Sequence, residues 1–240
     1  MGKCWKKSRN SPREDSRRIE EVLMAMLKSI SLADQVFDKL ESDIISGVYP
    51  RGEVLTELKL VEQLNVSRTP IREALRRLEQ ERLIRDSGKG SVVLGITLED
   101  LEDIMDIRLR CEGLAAYYAA KNRTEEDCRR LRQLSELQDF YFEKGDYDRL
   151  RQIDDEFHES IYEISGRSVL MDTLRPLHRK TQRYRRNSYS IPARRQKSIN
   201  EHKEICDAIC AGDAELADKL VSRHIENAKQ TMIERFSQNG

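Results

Sequence analysis

The chain has 240 residues and four histidines, and three of these stand at positions that face into a protein. In Ile153-Asp154-Asp155-Glu156-Phe157-His158 the aspartate and histidine are four apart, so on a helix Asp154 and His158 are neighbours on one face. That face borders the apolar stripe Leu150, Ile153, Phe157 and Ile161. His202 falls among Cys206 and Ile209, and His224 among Ala217, Leu220, Val221 and Ala228, both at helical spacing. A single buried histidine usually needs only a hydrogen bond. Three imidazoles and a carboxylate turned inward from three helices are far more costly to desolvate, and one divalent cation would satisfy all of them together. Asp154, His158, His202 and His224 are therefore candidate metal ligands, a set suited to zinc, nickel, manganese or iron. His178 fits no such pattern and is expected to be a surface or packing residue.

A second constellation suits a polyanion. In Val66-Ser67-Arg68-Thr69-Pro70-Ile71-Arg72-Glu73-Ala74-Leu75-Arg76-Arg77-Leu78, Ser67 or Thr69 can cap a helix, and Pro70 falls in its first turn, where the missing N–H matters least. Ile71, Ala74, Leu75 and Leu78 share one helical face, while Thr69, Arg72 and Arg76 share the opposite one. A short helical pattern over 58–64 precedes it and Asn65 supplies the turn, giving helix-turn-helix proportions. The N-terminal residues of a recognition helix meet base edges and phosphates. Arg68 and Arg72 are then placed for guanine edges or phosphates, Ser67 and Thr69 for phosphate oxygens or a thymine methyl, and Arg76 for backbone further along. Leu83-Ile84-Arg85, a turn at Gly88-Lys89-Gly90 and a strand over 91–94 read as a two-stranded wing, whose Lys89 and Gly90 can approach the phosphate backbone closely. Between Val66 and Gly90 there are seven basic and four acidic residues, a local positive excess within a chain that has 43 of each and no net charge.

Three further features admit two readings each. Arg108 lies on the apolar face of its helix with Leu101, Ile104, Met105, Cys111, Glu112 and Ala115; it either pairs internally with Glu112 or receives an effector carboxylate. Cys206 and Cys210 follow His202 at four and eight residues, and are either core thiols or soft metal ligands, with packing favoured by Ile205 and Ile209 beside them. Arg179 to Lys197 holds eight basic residues and no acidic one, which suits a solvated face, a second nucleic-acid surface, or an anion contact from Arg183.

The elements that must position these residues are nearly all helical. Eleven glycines and five prolines are few, and no proline lies between Pro70 and Pro176, which disfavours an all-β fold. Helical patterns cover 32–46, 57–64 and 67–81, and the Gly-bracketed, β-branched stretch 88–95 separates two unlike halves. Beyond it, capping residues Thr97, Thr124, Asp146 and Asp213 open helices expected over 97–122, 124–144, 146–165, 167–188 with a kink or restart near Pro176, 193–211 and 213–236. The fold class is thus mainly α: an N-terminal winged helix-turn-helix with a small β-wing, then an all-α bundle of about six helices. The domains expected are a ragged basic extension over 1–30, in which Met24 or Met26 could be the biological start, a DNA-binding domain over 31–95 and a helical domain over 96–237. No apolar run is long enough for a membrane span, and five scattered cysteines without CxxC spacing suit a soluble protein of the reducing cytoplasm.

The segment 31–95 resembles the GntR family of bacterial transcription regulators. The match runs from Gly47, Gly52 and Leu55 through Val66-Ser67-Arg68-Thr69-Pro70-Ile71-Arg72-Glu73-Ala74-Leu75 and Leu78-Glu79 to Gly90. The family pattern has Leu-Ala where this chain has Leu60-Val61, and Glu-Gly-Leu where it has Glu81-Arg82-Leu83, changes that read as compatible with a helix. The segment 97–236 is similar to the ligand-binding FCD domain of one GntR subfamily, whose metal pattern is met by Asp154, His158, Glu201-His202 and His224. The resemblance implies a homodimer that binds a roughly palindromic double-stranded operator, and a small organic-acid effector received at the metal with help from Arg108. The alternative is a metal-dependent hydrolase or oxygenase built on the same Asp/His site, although no further inward base, nucleophile motif or Gly-rich phosphate loop accompanies it.

Overall fold

The computed structural model describes residues 31–182, 184 and 191–239; the extension over 1–30 and Arg183, Arg185 and Arg186 of the basic stretch lie outside the described residues. Among the described residues there are nine helices and three short strands, in two compact units, one running to Gly95 and one from Ile96. Among the described residues no helix is long and apolar enough to cross a membrane.

The first unit holds α1 (Leu32–Ser46), β1 (Val54–Leu55), α2 (Glu57–Leu64), α3 (Arg68–Gln80), β2 (Ile84–Asp86) and β3 (Ser91–Val93). A capping box starts α1, with the Ser31 hydroxyl accepting from Asp34 N and the Asp34 carboxylate accepting from Ser31 N. Gly47, at φ 81°, ends it. Asp34 also pairs with Arg77 at 2.5 Å, and that guanidinium lies 4.0 Å from the centre of the Phe37 ring, so α1 and α3 are tied at their polar edge as well as through the core. Phe37, Leu40, Ile44, Leu55, Leu60, Ile71, Ala74, Leu78, Leu83 and Ile84 are buried there. Asn65, at φ 52°, makes the left-handed turn between α2 and α3, a conformation asparagine tolerates.

The wing differs from the two strands expected. Val54–Leu55 adds a third, and the antiparallel order is β1-β3-β2, with Val54 opposite Val92 and Ile84 opposite Val93. Two residues are too short a run to show strand periodicity, and only their partner on β3 makes them a strand. Arg82 is a correction as well. It is not helical but sits at φ 58°, the left-handed turn between α3 and β2, so a glycine there would be unstrained whereas arginine carries roughly 1–2 kcal/mol of backbone strain.

The second unit is six helices: α4 (Leu98–Asn122), α5 (Glu125–Lys144), α6 (Tyr147–Ile164), α7 (Ser168–Lys180), α8 (Pro192–Ala211) and α9 (Ala214–Asn239). Thr97 with Asp100 and Thr124 with Asp127 form reciprocal capping boxes, and Gly145 and Gly212 end α5 and α8 in left-handed geometry. α7 runs through Pro176 and ends at Lys180, short of the limit the sequence suggested; residues 185–190 lie outside the described set. α4 packs against α9, α6, α8 and α7 around Leu101, Met105, Ala116, Phe157, Ile161, Ile205, Ile209, Val221 and Ile225. Gly113 lets α9 lie close, since a Cβ there would come within 2.1 Å of Asp218 Oδ1.

Gly90 is the wing position with least freedom. Its φ is +142°, and a Cβ would lie 2.7 Å from the Leu55 carbonyl oxygen. Gly90→Ala is expected to lower stability by roughly 1–3 kcal/mol, read as a fall in Tm, with loss of amide-exchange protection confined to the wing.

Candidate functional site

On α3, burial divides the residues as the helical spacing predicts. Ile71, Ala74, Leu75 and Leu78 are buried, and Ser67, Arg68, Thr69, Arg72 and Arg76 are exposed. Ser67 is the N-cap by backbone geometry, but its hydroxyl makes no capping bond. A groove of about 360 Å³ separates α3 from the wing, with Arg72 and Arg76 on one wall and Gly88 and Gly90 on the other. Lys89 is exposed at the wing tip. The tip is braced from within: Asp86 Oδ1 accepts from Gly88 N at 2.8 Å, the Ser87 hydroxyl donates to Gly90 O at 2.7 Å, and Asp86 N donates to Glu79 on α3 at 3.0 Å. Exposed cations on a rigid helix and a braced turn beside it form a surface that a nucleic-acid backbone can fit.

Inside the second unit, ligand atoms of His158, His202 and His224 lie within 4.8 Å of one another. All three side chains are buried, as is Asp154, whose Oδ1 lies 3.6 Å from His202 Nε2. Each ring is held from its other nitrogen. His158 Nδ1 meets Glu112 Oε2 at 3.0 Å, His202 Nδ1 meets Gln138 Oε1 at 3.0 Å, and His224 Nδ1 meets Glu201 Oε2 at 2.7 Å. An acceptor beside Nδ1 draws the ring proton there, so a neutral ring turns the lone pair of Nε2 toward the cluster. His202 Nε2 and His224 Nε2 stand 3.3 Å apart. Two nitrogens each ~2.0–2.1 Å from one ion at a tetrahedral angle would stand ~3.3 Å apart, so the donor set fits a divalent metal in type and in spacing. Phe157 stacks on His202, ring centres 4.5 Å apart, and limits its rotation.

Beside this cluster lies a charged network that spacing alone did not reveal. Arg108 is 2% exposed, and its donors are distributed: Nε to Glu112 Oε1 at 2.6 Å, Nη1 to the Thr181 hydroxyl at 2.7 Å and Nη2 to His178 Nδ1 at 3.2 Å. The internal pair with Glu112 therefore exists, and it is only part of what the guanidinium does. His178 is neither on the surface nor a simple packing residue. It is buried, with Nε2 2.9 Å from Asp155 Oδ1 and Nδ1 also 3.4 Å from the Tyr162 hydroxyl. Leu170, Leu174 and His178 recur at intervals of four along α7, the one sequence signal for its inward position. Gln138 could have been found similarly, since it continues the Leu131–Leu134 stripe of α5. Glu112, His158 and His178 also bring ligand atoms within 4.8 Å of one another, but the Arg108 guanidinium bonded to two of them would repel a second cation.

Burial would raise the Glu112 carboxyl, but the charge of Arg108 and the hydrogen bond from His158 outweigh it and hold the carboxyl well below the ordinary range. Burial lowers His178, against the pull of Asp155. Tyr162 is raised well above the usual phenol value by burial and by Glu112, so its hydroxyl stays protonated. Burial pushes the Cys206 thiol up to about 11 and raises Cys210 too, and among the described residues neither thiol joins a cluster of potential metal ligands.

Removing one partner of a buried pair strands the other charge. Glu112→Gln should thus destabilise the protein by roughly 3–5 kcal/mol at pH 7 in urea unfolding with chelator present. The sign with pH follows from the depressed carboxyl: its contribution is complete above the unfolded value near 4.5 and is lost as pH falls through the lower folded value. The variant should therefore lose less stability than wild type on acidification below about pH 4.5.

Comparison with known proteins accords with both units. The family model described as "Bacterial regulatory proteins, gntR family" matches residues 32–93, and the FCD domain model matches residues 103–227, over half of the chain. The chain is similar to the HTH-type transcriptional repressor RspR of Escherichia coli, 26% identical over 206 residues that cover 85% of this chain and 90% of that protein. It is 32% identical over 145 residues to the gluconate operon transcriptional repressor of Bacillus licheniformis, covering 60% of each. Among solved structures, E. coli McbR/YncC superposes with a TM-score of 0.72 at 26% identity, covering 88% of this chain and all (100%) of that one. A helix with an exposed basic face beside a wing, a helical bundle with clustered buried histidines and both family matches lead to one conclusion: the chain belongs to the GntR family of bacterial regulatory proteins and is a DNA-binding transcription regulator with an FCD ligand-binding domain.

Proposed function

We propose that this regulator binds a roughly palindromic operator as a homodimer in the cytoplasm, and that a small organic acid, bound at a divalent metal in the helical domain, sets its operator affinity. The observation that carries the reading is the 3.3 Å approach of His202 Nε2 and His224 Nε2, two rings whose Nδ1 atoms are engaged by Gln138 and Glu201. Lone pairs so directed repel one another unless a cation or proton stands between them. Asp154, His158, His202 and His224 would hold the ion, with zinc the best suited to this donor set and nickel, manganese or iron the alternatives. The metal would supply a Lewis-acid anchor for a carboxylate. Arg108 would supply a second: its Nη atoms now donate to neutral acceptors, Thr181 and His178, and a carboxylate is a stronger acceptor than either.

At the DNA, Arg68 and Arg72 would meet base edges or phosphates, Ser67, Thr69 and Arg76 would position the backbone, and Lys89 and Gly90 would bring the wing onto phosphates. Linkage then requires only that the acid bind the DNA-bound and free proteins with different affinity; operator DNA must alter acid binding by the same factor.

Elemental analysis and native mass spectrometry of protein purified without chelating resin test the metal, the retained acid and the subunit count together. His202→Ala should lose stoichiometric metal and the response to acid, and full metal occupancy in that variant would refute the ligand set. Arg72→Ala should weaken binding to a duplex selected by the wild-type protein by roughly 1–3 kcal/mol while metal content stays unchanged.

A further inference from the structure

The recognition face contains an acid, and its position calls for an explanation. Arg72 Nε donates to both carboxylate oxygens of Glu57, at 2.8 and 2.9 Å, and both residues line the groove between α3 and the wing. The two side chains are 65% and 35% exposed, so the pair sits in water and adds little to stability. A carboxylate turned toward a polyanion also weakens binding by its charge. Glu57 thus opposes DNA association without holding the fold together.

What it does supply is a fixed direction for Arg72. An exposed arginine samples many rotamers, and each must be given up to place a guanidinium on a base. The ion pair uses Nε and leaves the Nη1–Nη2 edge, the two-pronged end whose spacing matches O6 and N7 of guanine. Glu57 is itself anchored independently of α3. It is the first residue of α2, behind Thr56, whose hydroxyl caps that helix by accepting from Lys59 N at 3.3 Å. Arg68 and Arg76, one turn to either side of Arg72 on the same exposed face, make no ion pair of this kind among the described residues.

We propose that Glu57 is a positioning residue for sequence recognition: it holds the Arg72 guanidinium so that the Nη edge reads one guanine in each half-site, giving up overall affinity for discrimination. This rests on the reading that Arg72 meets a base, and the test separates the two. The probes are a duplex selected from a randomised pool by the wild-type protein and a scrambled duplex of the same composition, compared at one salt concentration. Glu57→Gln keeps the shape and removes the charge. Scrambled DNA should then bind several-fold more tightly, the selected-to-scrambled ratio should fall about ten-fold, and reselection with the variant should lose the preference at one guanine position per half-site. In an Arg72→Ala background, Glu57→Gln should lower the ratio no further. Glu57→Asp, which keeps the charge but shortens the reach, should lose discrimination without gaining affinity for scrambled DNA; melting curves confirm that each variant is folded, and either one decides the matter if the other is not. An unchanged ratio in Arg72→Ala alone would remove the base reading and the proposal with it. A lowered ratio in Arg72→Ala with no loss in the Glu57 variants, or an equal loss with and without Arg72, would overturn the positioning role and leave base reading intact.

Discussion

Three buried imidazoles brought within 4.8 Å of one another are the constraint on which the helical unit turns. An apolar bundle can accept His158, His202 and His224 only if each ring is fixed and satisfied on its outer side, and Glu112, Gln138 and Glu201 do this from α4, α5 and α8. Three different helices must therefore supply those acceptors, and the helices that carry the rings must hold their register to within a fraction of a turn. The capping boxes at Thr97 and Thr124 set where α4 and α5 begin, and the glycine stops at Gly145 and Gly212 set where α5 and α8 end. The Arg108–Glu112 pair extends the same logic outward. Glu112 serves both the guanidinium and His158, so the charge network and the imidazole cluster share one carboxylate.

The DNA-facing unit answers to a different constraint. A helix that must show cations to solvent still needs a buried face to be held in place, and α3 achieves this with Ile71, Ala74, Leu75 and Leu78 packed inward. Polar ties at its edges then orient what is exposed: Asp34 and Phe37 hold Arg77, Glu79 holds the wing at Asp86, and Glu57 holds Arg72. Acidic residues on a basic surface are consistent with this role, since orientation and charge attraction are separate contributions to recognition.

The legible parts of the fold were those coded locally. Thr97, Thr124 and Asp146 announced helix starts because a side chain caps an N–H three residues away, and the alternation of Ile71, Leu75 and Leu78 with Arg72 and Arg76 gave the two faces of α3. Val54–Leu55 was not legible as a strand because its pairing with Ser91 and Val92 is remote in sequence. Arg82 misled because a side chain that favours helices says nothing of a backbone forced to positive φ by the turn into β2. His178 was hidden by its neighbours: Pro176 and the following basic residues mask an inward position that its partners on other segments, Arg108 and Asp155, account for.

By itself, the order of residues determined the two classes of surface, one helix presenting cations and several helices presenting inward polar groups, because both depend on a period of 3.6 residues and on caps that act within a single turn. Which inward groups meet was decided only by the tertiary structure. A helical wheel gives a side chain its direction but not its depth or its partner, so Asp154 and His158 could be paired from spacing whereas Gln138 with His202, Glu201 with His224, and Arg108 with Thr181 required the helices to be packed. Hydrogen bonds between helices depend on distances of a few tenths of an ångström, and those distances arise only when the bundle closes.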